Sequence, residues 1–443
     1  MHEATSGLAA VNQAFTARHP GDKPLRQPVH TVYGGGHLFK SDTAARLGLV
    51  ARAAMAEYAP TPAALAKVVG LNADPKGVYA RIAEKLAREP VEDFRIDFED
   101  GYGSRPDAEE DGHVEGAARE VAAGMRAGTL PPFIGIRIKP LTEELKARSV
   151  RTLRIFVTTL VRQAGALPAN FVVTLPKIVV AEQVGAFEAM LTSLEKEAGL
   201  ARGSLRFEVM VETPQIVLGA DGRSALPRVL DAANGRLTAA HFGTYDYTAG
   251  LGITAAYQAM RHPACDFAKH VMSVSFAGTG IWLSDGSTAV LPVALHRAAK
   301  GRKLSPRQAR ENRASVHAAW KLHHDDVRHS LAGGFYQGWD LHPAQLVTRY
   351  AAVFGFFMEG IDAAAARLQN FTQKAFQATL VGDVFDDAAT GQGLLNYFLR
   401  GINSGAVTEA EAARRSGLTV DEIRGRSFVA ILKGRSARHA RGT

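Results

Sequence analysis

Eight short β-prone runs, each followed by a turn or a helical stretch, constrain this chain more than any other feature of its sequence. They are His30–Tyr33, the run beginning at Phe94, Phe133–Pro140, Phe171–Leu175, Phe207–Val211, Leu237–Phe242, Val271–Phe276 and Phe335–Leu341. Helical segments lie among them, including 107–127, 147–164 and 181–197. Such alternation builds parallel sheet. Repeated eight times over about 310 residues it predicts an α/β fold, a (β/α)8 TIM barrel, in preference to a doubly wound sheet. Residues 1–29, broken by Pro20, Pro24 and Pro28, read as a lead-in; 30–346 read as the barrel, and 347–443 as a helical C-terminal extension with a basic tail.

In a barrel of this kind chemistry belongs where the strands end. Two runs, Phe207–Val211 and Leu237–Phe242, end in Glu212-Thr213-Pro214 and in Gly243-Thr244-Tyr245-Asp246. Glu212 and Asp246 are therefore candidate metal ligands. The second run ends in Asp97, Glu99 and Asp100, and clustered carboxylates repel unless a cation is near. Arg137, flanked by Ile136 and Ile138, suits a carboxylate paired with a carbonyl if it points inward. Lys177 is a site cation or a plain rim lysine. Gly34-Gly35-Gly36 lacks the pattern of a phosphate loop and reads as a turn. The four histidines of 310–329, His317, His323, His324 and His329, read as a solvated helix face in preference to a metal site.

Composition narrows the classes. Hydrophobic residues make up 46% and charged residues 22% of 443, which is ordinary for a globular protein. The single cysteine, Cys265, excludes an internal disulfide and a multi-cysteine metal site. No apolar run is long enough to span a bilayer and no signal-type segment opens the chain, so a soluble, cytoplasmic protein without a membrane partner is expected. Of the net charge of +8, four units (Lys433, Arg435, Arg438 and Arg441) lie in the tail from Ser427. A short basic end of that kind argues against nucleic acid as the partner. The segment 408–426 reads as a helical hairpin, and the aromatic-rich 350–358 as packing against the barrel or a subunit partner.

Six motifs in order, DFEDGYG at 97–103, RIKP at 137–140, LPK at 175–177, ETP at 212–214, GTYDYTAGLG at 243–252 and GWDLHPAQ at 338–345, resemble the citrate lyase β-chain-like branch of the 2-oxo-acid aldolase superfamily. Malate synthase is a relative of that branch. The resemblance covers about residues 30–346. It implies a phosphoenolpyruvate/pyruvate-type TIM barrel, commonly a homo-oligomer, that acts as a carbon–carbon lyase or aldolase. Mg2+, or Mn2+ in its place, would be held by Glu212 and Asp246 and would stabilise an enolate. Glu99 and Asp100 would stand beside the metal as catalytic groups, and Arg137 would bind the carboxylate and oxo group of a 2-oxo-acid or 3-hydroxyacyl-CoA-type substrate. Lys177, Thr213 and Pro214 would line its pocket.

The chain departs from that pattern in places. Lys139 stands where similar enzymes usually have Asn, and the aromatic-rich GTYDYT leans toward malate synthases. FEDG replaces the EH loop of the pyruvate aldolases and argues against that subgroup. A malate-synthase-like Claisen condensation is the alternative reaction, and a non-catalytic regulatory barrel with a helical interaction module is the alternative of another class. No CoA site is assigned; Asp340, His342, Asp383, Asp386 and Asp387 are candidates for the catalytic acid.

Overall fold

A computed structural model describes residues 5, 7–21, 25–299, 301–373, 379–381, 384–386 and 388–442. Eight parallel strands close into a barrel: β1 (His30–Gly35), β2 (Asp93–Asp97), β3 (Phe133–Arg137), β4 (Phe171–Leu175), β5 (Arg206–Val211), β6 (Leu237–Phe242), β7 (Trp282–Ser287) and β8 (Gln337–Asp340). Each strand pairs with its neighbours in sequence. β8 closes on β1 in the register His30↔Gly338 and Val32↔Asp340. The (β/α)8 fold expected from the alternation is the fold observed. Gly135 in β3 permits a close approach, because a Cβ there would stand 2.0 Å from the Val172 carbonyl oxygen of β4.

One strand lies elsewhere than expected. Val271–Phe276 is the end of a helix, Pro263–Phe276, and the seventh strand is Trp282–Ser287. Pro263 occupies the first turn, His262 accepts from the Ala264 amide, and Cys265, Ala268, Met272 and Phe276 are buried at helical spacing. Val274, which strand alternation would place with Met272 and Phe276, is 80% exposed. The true strand buries Ser284 and Ser287, and also Asp285, which pairs with Lys269 and Ser330 of the outer helices, so it has no apolar signature.

The barrel interior is ionic. Arg95 of β2 donates to Glu208 of β5 at 2.7 Å through both Nε and one terminal nitrogen, and those strands are three apart, so the pair crosses the interior. Asp93 shares the same guanidinium, Thr174 bonds both partners, and His241 lies 3.0 Å from Glu208. All of these groups are buried. Buried charge is tolerated only when paired and hydrogen-bonded, and this layer meets both conditions.

The histidine-bearing helix, Pro306–Ala332, is not a solvated face. His323 and His324 are buried, His317 bonds the Tyr58 carbonyl at 2.8 Å, and His329 pairs with Asp266 at 2.8 Å. Asp340 explains His323. Its carboxylate receives His323 Nε2 at 2.9 Å, His30 Nδ1 at 3.1 Å and Arg349 at 2.8 Å, tying β8 to β1 and to two outer helices. Burial works to raise this carboxyl, but Arg349 and the two histidines outweigh it and hold it well below the usual range. Asp340 is thus a structural clamp pointing out of the barrel, which removes it from the candidates for the catalytic acid. His342 accepts from the Ala344 amide at 3.2 Å through its Nδ1.

Beyond the barrel, helices Gln345–Gln373, Ala388–Asn403, Glu409–Ser416, Val420–Arg424 and Phe428–Gly442 share one continuous core with it, through Tyr350, Phe354, Phe398, Ile423 and Phe428. Several basic side chains here are ion-paired within the chain: Arg415 with Asp362, Arg424 with Glu409 and Arg435 with Glu422. Asp386 ends a short strand, Val384–Asp386, while Asp383 and Asp387 lie outside the described residues. No described helix is long and apolar enough to cross a membrane.

Two measurements test this account. Asp340→Ala leaves Arg349 and two histidines without their acceptor and is expected to cost about 3–5 kcal/mol, read from urea unfolding. Burial lowers His324 to about 4 from 6.5, so the unfolded chain takes up the proton first as pH falls. Its contribution is therefore intact above pH 6.5 and declines toward pH 4 by up to roughly 3 kcal/mol, and His324→Gln should flatten that part of the melting-temperature profile.

Candidate active site

At the C-terminal rim the chain gathers residues from five strand ends. Asp97 closes β2, and its carboxylate accepts from the amides of Glu99 at 3.0 Å and Gly101 at 2.7 Å, folding the acidic loop back over the barrel mouth. Arg137 closes β3. It donates to Asp97 through Nε at 2.7 Å and a terminal nitrogen at 2.5 Å, and its other terminal nitrogen lies 3.0 Å from Glu99. Its planar face lies 4.7 Å from the ring centre of Tyr33 in β1 and 5.5 Å from that of Trp339 in β8. Arg137 does point inward, as one of the two options required. Its fork is turned onto the acidic loop.

Lys177 follows β4 with a left-handed backbone, φ +48°, rare for a residue carrying a Cβ. That turn brings it to four of the rim carboxylates. Its ammonium pairs with Glu99, with Asp100 at 2.9 Å and with Asp246 at 3.7 Å, while its backbone amide donates to Glu212 at 2.8 Å. Glu212 follows β5 and is buried; Asp246 sits in the first turn of the helix Thr244–Gly250 after β6, and its side chain is 43% exposed. Gly243 makes room between them, since a Cβ at that position would meet a Glu212 oxygen at 2.4 Å.

Charge does not balance here. Asp97, Glu99, Asp100, Glu212 and Asp246 face two permanent cations, Arg137 and Lys177. Burial pushes Glu212 up to about 8, with Asp246 adding to the effect and Arg137 opposing it. Glu99 is raised by burial and by Asp100 against the pull of Arg137, whereas the Lys177 hydrogen bond overcomes burial and lowers Asp100. An excess of hard oxygen donors over cations suits a divalent ion of the Mg2+ type. Among the described residues no three His, Cys, Asp or Glu side chains form a ready metal cluster; the Lys177 ammonium stands among the acids.

Other expected residues have different surroundings. The Thr213 hydroxyl is spent on the Ile178 carbonyl at 2.6 Å, and Pro214 opens the short helix Pro214–Val217. Lys139 does not enter the pocket: its ammonium turns outward to the Phe98 carbonyl at 2.7 Å and to Glu110 at 2.6 Å. Its presence therefore says nothing against a substrate site. Sequence reading missed Tyr33 and Trp339 as walls of the site; each is an aromatic beside a strand-ending motif already noted, and their ring centres lie 4.3 Å apart.

A cavity of about 340 Å3 opens at the opposite, N-terminal face, between Phe133, Phe171, Trp282 and Gln337. Of its charged lining, Asp93, Arg95 and Glu208 are paired with one another, and the Arg206 guanidinium donates to the Gly235 carbonyl at 2.9 Å.

A family model described as a domain of unknown function, DUF6986, matches residues 8–431. The chain belongs to the DUF6986 family. No curated protein matches it by sequence. Among solved structures, a citrate lyase from Burkholderia xenovorans LB400 is 19% identical, with 90% of this chain and 99% of that one covered and a TM-score of 0.54. A magnesium/glyoxylate complex of Haloferax volcanii malate synthase is 16% identical over 92% and 99%, with a TM-score of 0.45. CitE of Mycobacterium tuberculosis, in complex with magnesium, acetoacetate and coenzyme A, is 16% identical over 86% and 100%, with a TM-score of 0.48. This member of the DUF6986 family thus shares its barrel fold with the Burkholderia citrate lyase, and the resemblance drawn from the six motifs holds at the level of fold.

Gly243→Ala is expected to displace Glu212 and to cost about 1–3 kcal/mol through overpacking, visible as a lowered urea midpoint.

Proposed function

We propose that the protein is a divalent-metal-dependent carbon–carbon lyase or synthase acting on a 2-oxo-acid or a 3-hydroxyacyl thioester such as an acyl-CoA. The observation that carries this reading is the convergence of Glu99, Asp100, Glu212 and Asp246 on one rim beside Arg137, with more negative than positive charge. Glu212 and Asp246 would hold Mg2+ or Mn2+, which when bound supplies positive charge to the oxygen that gains electrons as the carbon–carbon bond breaks or forms.

The chain's own groups do the rest. Lys177 and the Glu99-facing edge of Arg137 are the positive groups a substrate carboxylate meets on entering the rim. The aromatic faces of Tyr33 and Trp339 keep the guanidinium oriented and remove water from one side of it. Glu99 and Asp100 hold the Lys177 ammonium at the edge of the site. Such preorganised charge, fixed before the reaction begins, is the usual source of stabilisation for a developing oxyanion. The fold shared with a citrate lyase accords with this chemistry.

Calorimetric titration with Mg2+ tests the assignment. Wild type should bind, and Glu212→Ala and Asp246→Asn should each bind at least tenfold more weakly; equal affinity in all three removes the metal site. In parallel, acyl-CoA esters presented with glyoxylate or pyruvate should turn over with wild type and fail to do so with Asp246→Asn.

A further inference from the structure

The acidic loop is gripped from two sides. On the barrel side the Asp97 carboxylate holds the amides of Glu99 and Gly101. On the outer side the Phe98 carbonyl, which lies between Arg137's partner Asp97 and Lys177's partner Glu99, accepts from Lys139 at 2.7 Å. β3 ends at Arg137, so strand alternation stops there and Lys139 turns to the side opposite Arg137, toward the helix Asp107–Ala127.

Its ammonium is nearly enclosed. One donor goes to Phe98, one to Glu110 at 2.6 Å, and the Tyr102 ring centre lies at 5.2 Å. Glu110 is fully buried and is itself fixed by Thr152 at 2.7 Å. The Lys139 carbonyl accepts from Ser149 at 2.7 Å. Thr152 and Ser149 both belong to the helix Lys146–Ala164. One lysine therefore connects two outer helices to a single peptide group of the loop.

We propose that Lys139 is a positioning residue for the active site: it fixes the Phe98 peptide from behind, and so sets where Glu99 and Asp100 stand relative to Arg137 and Lys177. This rests on the metal-site reading of the rim. A purely structural ion pair between Lys139 and Glu110 would stabilise the helix without needing the loop carbonyl. The carbonyl is the contact that reaches the site. Rotation of the Phe98–Glu99 peptide plane would turn its other end, the Glu99 amide, away from Asp97 and shift Glu99, which pairs with both Arg137 and Lys177.

The test uses the full-length protein and the double variant Lys139→Met/Glu110→Gln. Methionine keeps the length and apolar body of the side chain and removes its donors, while glutamine keeps the acceptor for Thr152 and removes a buried carboxylate charge that would then face only Arg148, at 3.4 Å. Lys146→Met, at an exposed lysine paired with Glu143, is the control. Hydrogen exchange read by mass spectrometry should show the amides of 97–103 exchanging at least tenfold faster in the double variant and unchanged in the control. Exchange in Lys146–Ala164 should stay at the wild-type rate, and Mn2+ affinity, read by electron paramagnetic resonance, should fall at least tenfold.

Wild-type exchange in 97–103 overturns the proposal, as does faster exchange with unchanged Mn2+ affinity, or faster exchange spread over the whole barrel. A wild-type protein that binds no Mn2+ overturns the metal assignment instead, and local exchange then decides whether Lys139 holds the loop.

Discussion

The pair between Arg137 and Asp97 is the contact on which the rim depends. Arg137 is buried at the end of β3, where an unpaired guanidinium would be costly, and Asp97 at the end of β2 removes that cost through two hydrogen bonds. The same carboxylate then has lone pairs left for the amides of Glu99 and Gly101. Satisfying one buried cation therefore folds the acidic loop inward, and the loop delivers the groups that draw Lys177 over the mouth. Electrostatic need and site geometry are one arrangement.

Below it the barrel repeats the device. Arg95 with Asp93 and Glu208 fills the middle of the interior, where many barrels carry layers of branched aliphatic side chains. A polar interior of this kind gives little hydrophobic stabilisation, so cohesion has to come from outside the strands. That is where the structure supplies it: the Asp340 clamp and the continuous apolar core linking the barrel to the C-terminal helices.

Much of this was legible in the sequence because strand ends announce themselves. Glu212, Asp246, Asp97, Glu99 and Arg137 all lie at or near the ends of short β-prone runs, and the eightfold alternation made one rim the expected place for them, although it left the direction of Arg137 open. Where reading failed, the failures share a cause: side chains whose partners are remote in sequence. The strand Trp282–Ser287 buries serines together with Asp285, which accepts from Lys269 and Ser330, so it lacks an apolar pattern, whereas the helical Val271–Phe276 displays one by accident. His323 looks solvated until Asp340 and Thr348 are placed beside it. Lys139 looks like a pocket residue until the helix carrying Glu110 is packed behind it. Periodicity reports burial of carbon well and burial of paired charge poorly.

The three tryptophans of the chain fall in three different parts of the molecule. Trp282 stands at the N-terminal face against Phe133, with ring centres 5.9 Å apart, and Trp320 is fully enclosed in the outer helical layer, its indole N–H on the Ala344 carbonyl. Trp339 alone of the three lies beside the guanidinium of the rim. The protein thus carries its own optical reporters: an emission change that survives substitution of Trp282 and Trp320 originates at the rim, and one that follows Trp282 originates at the opposite mouth.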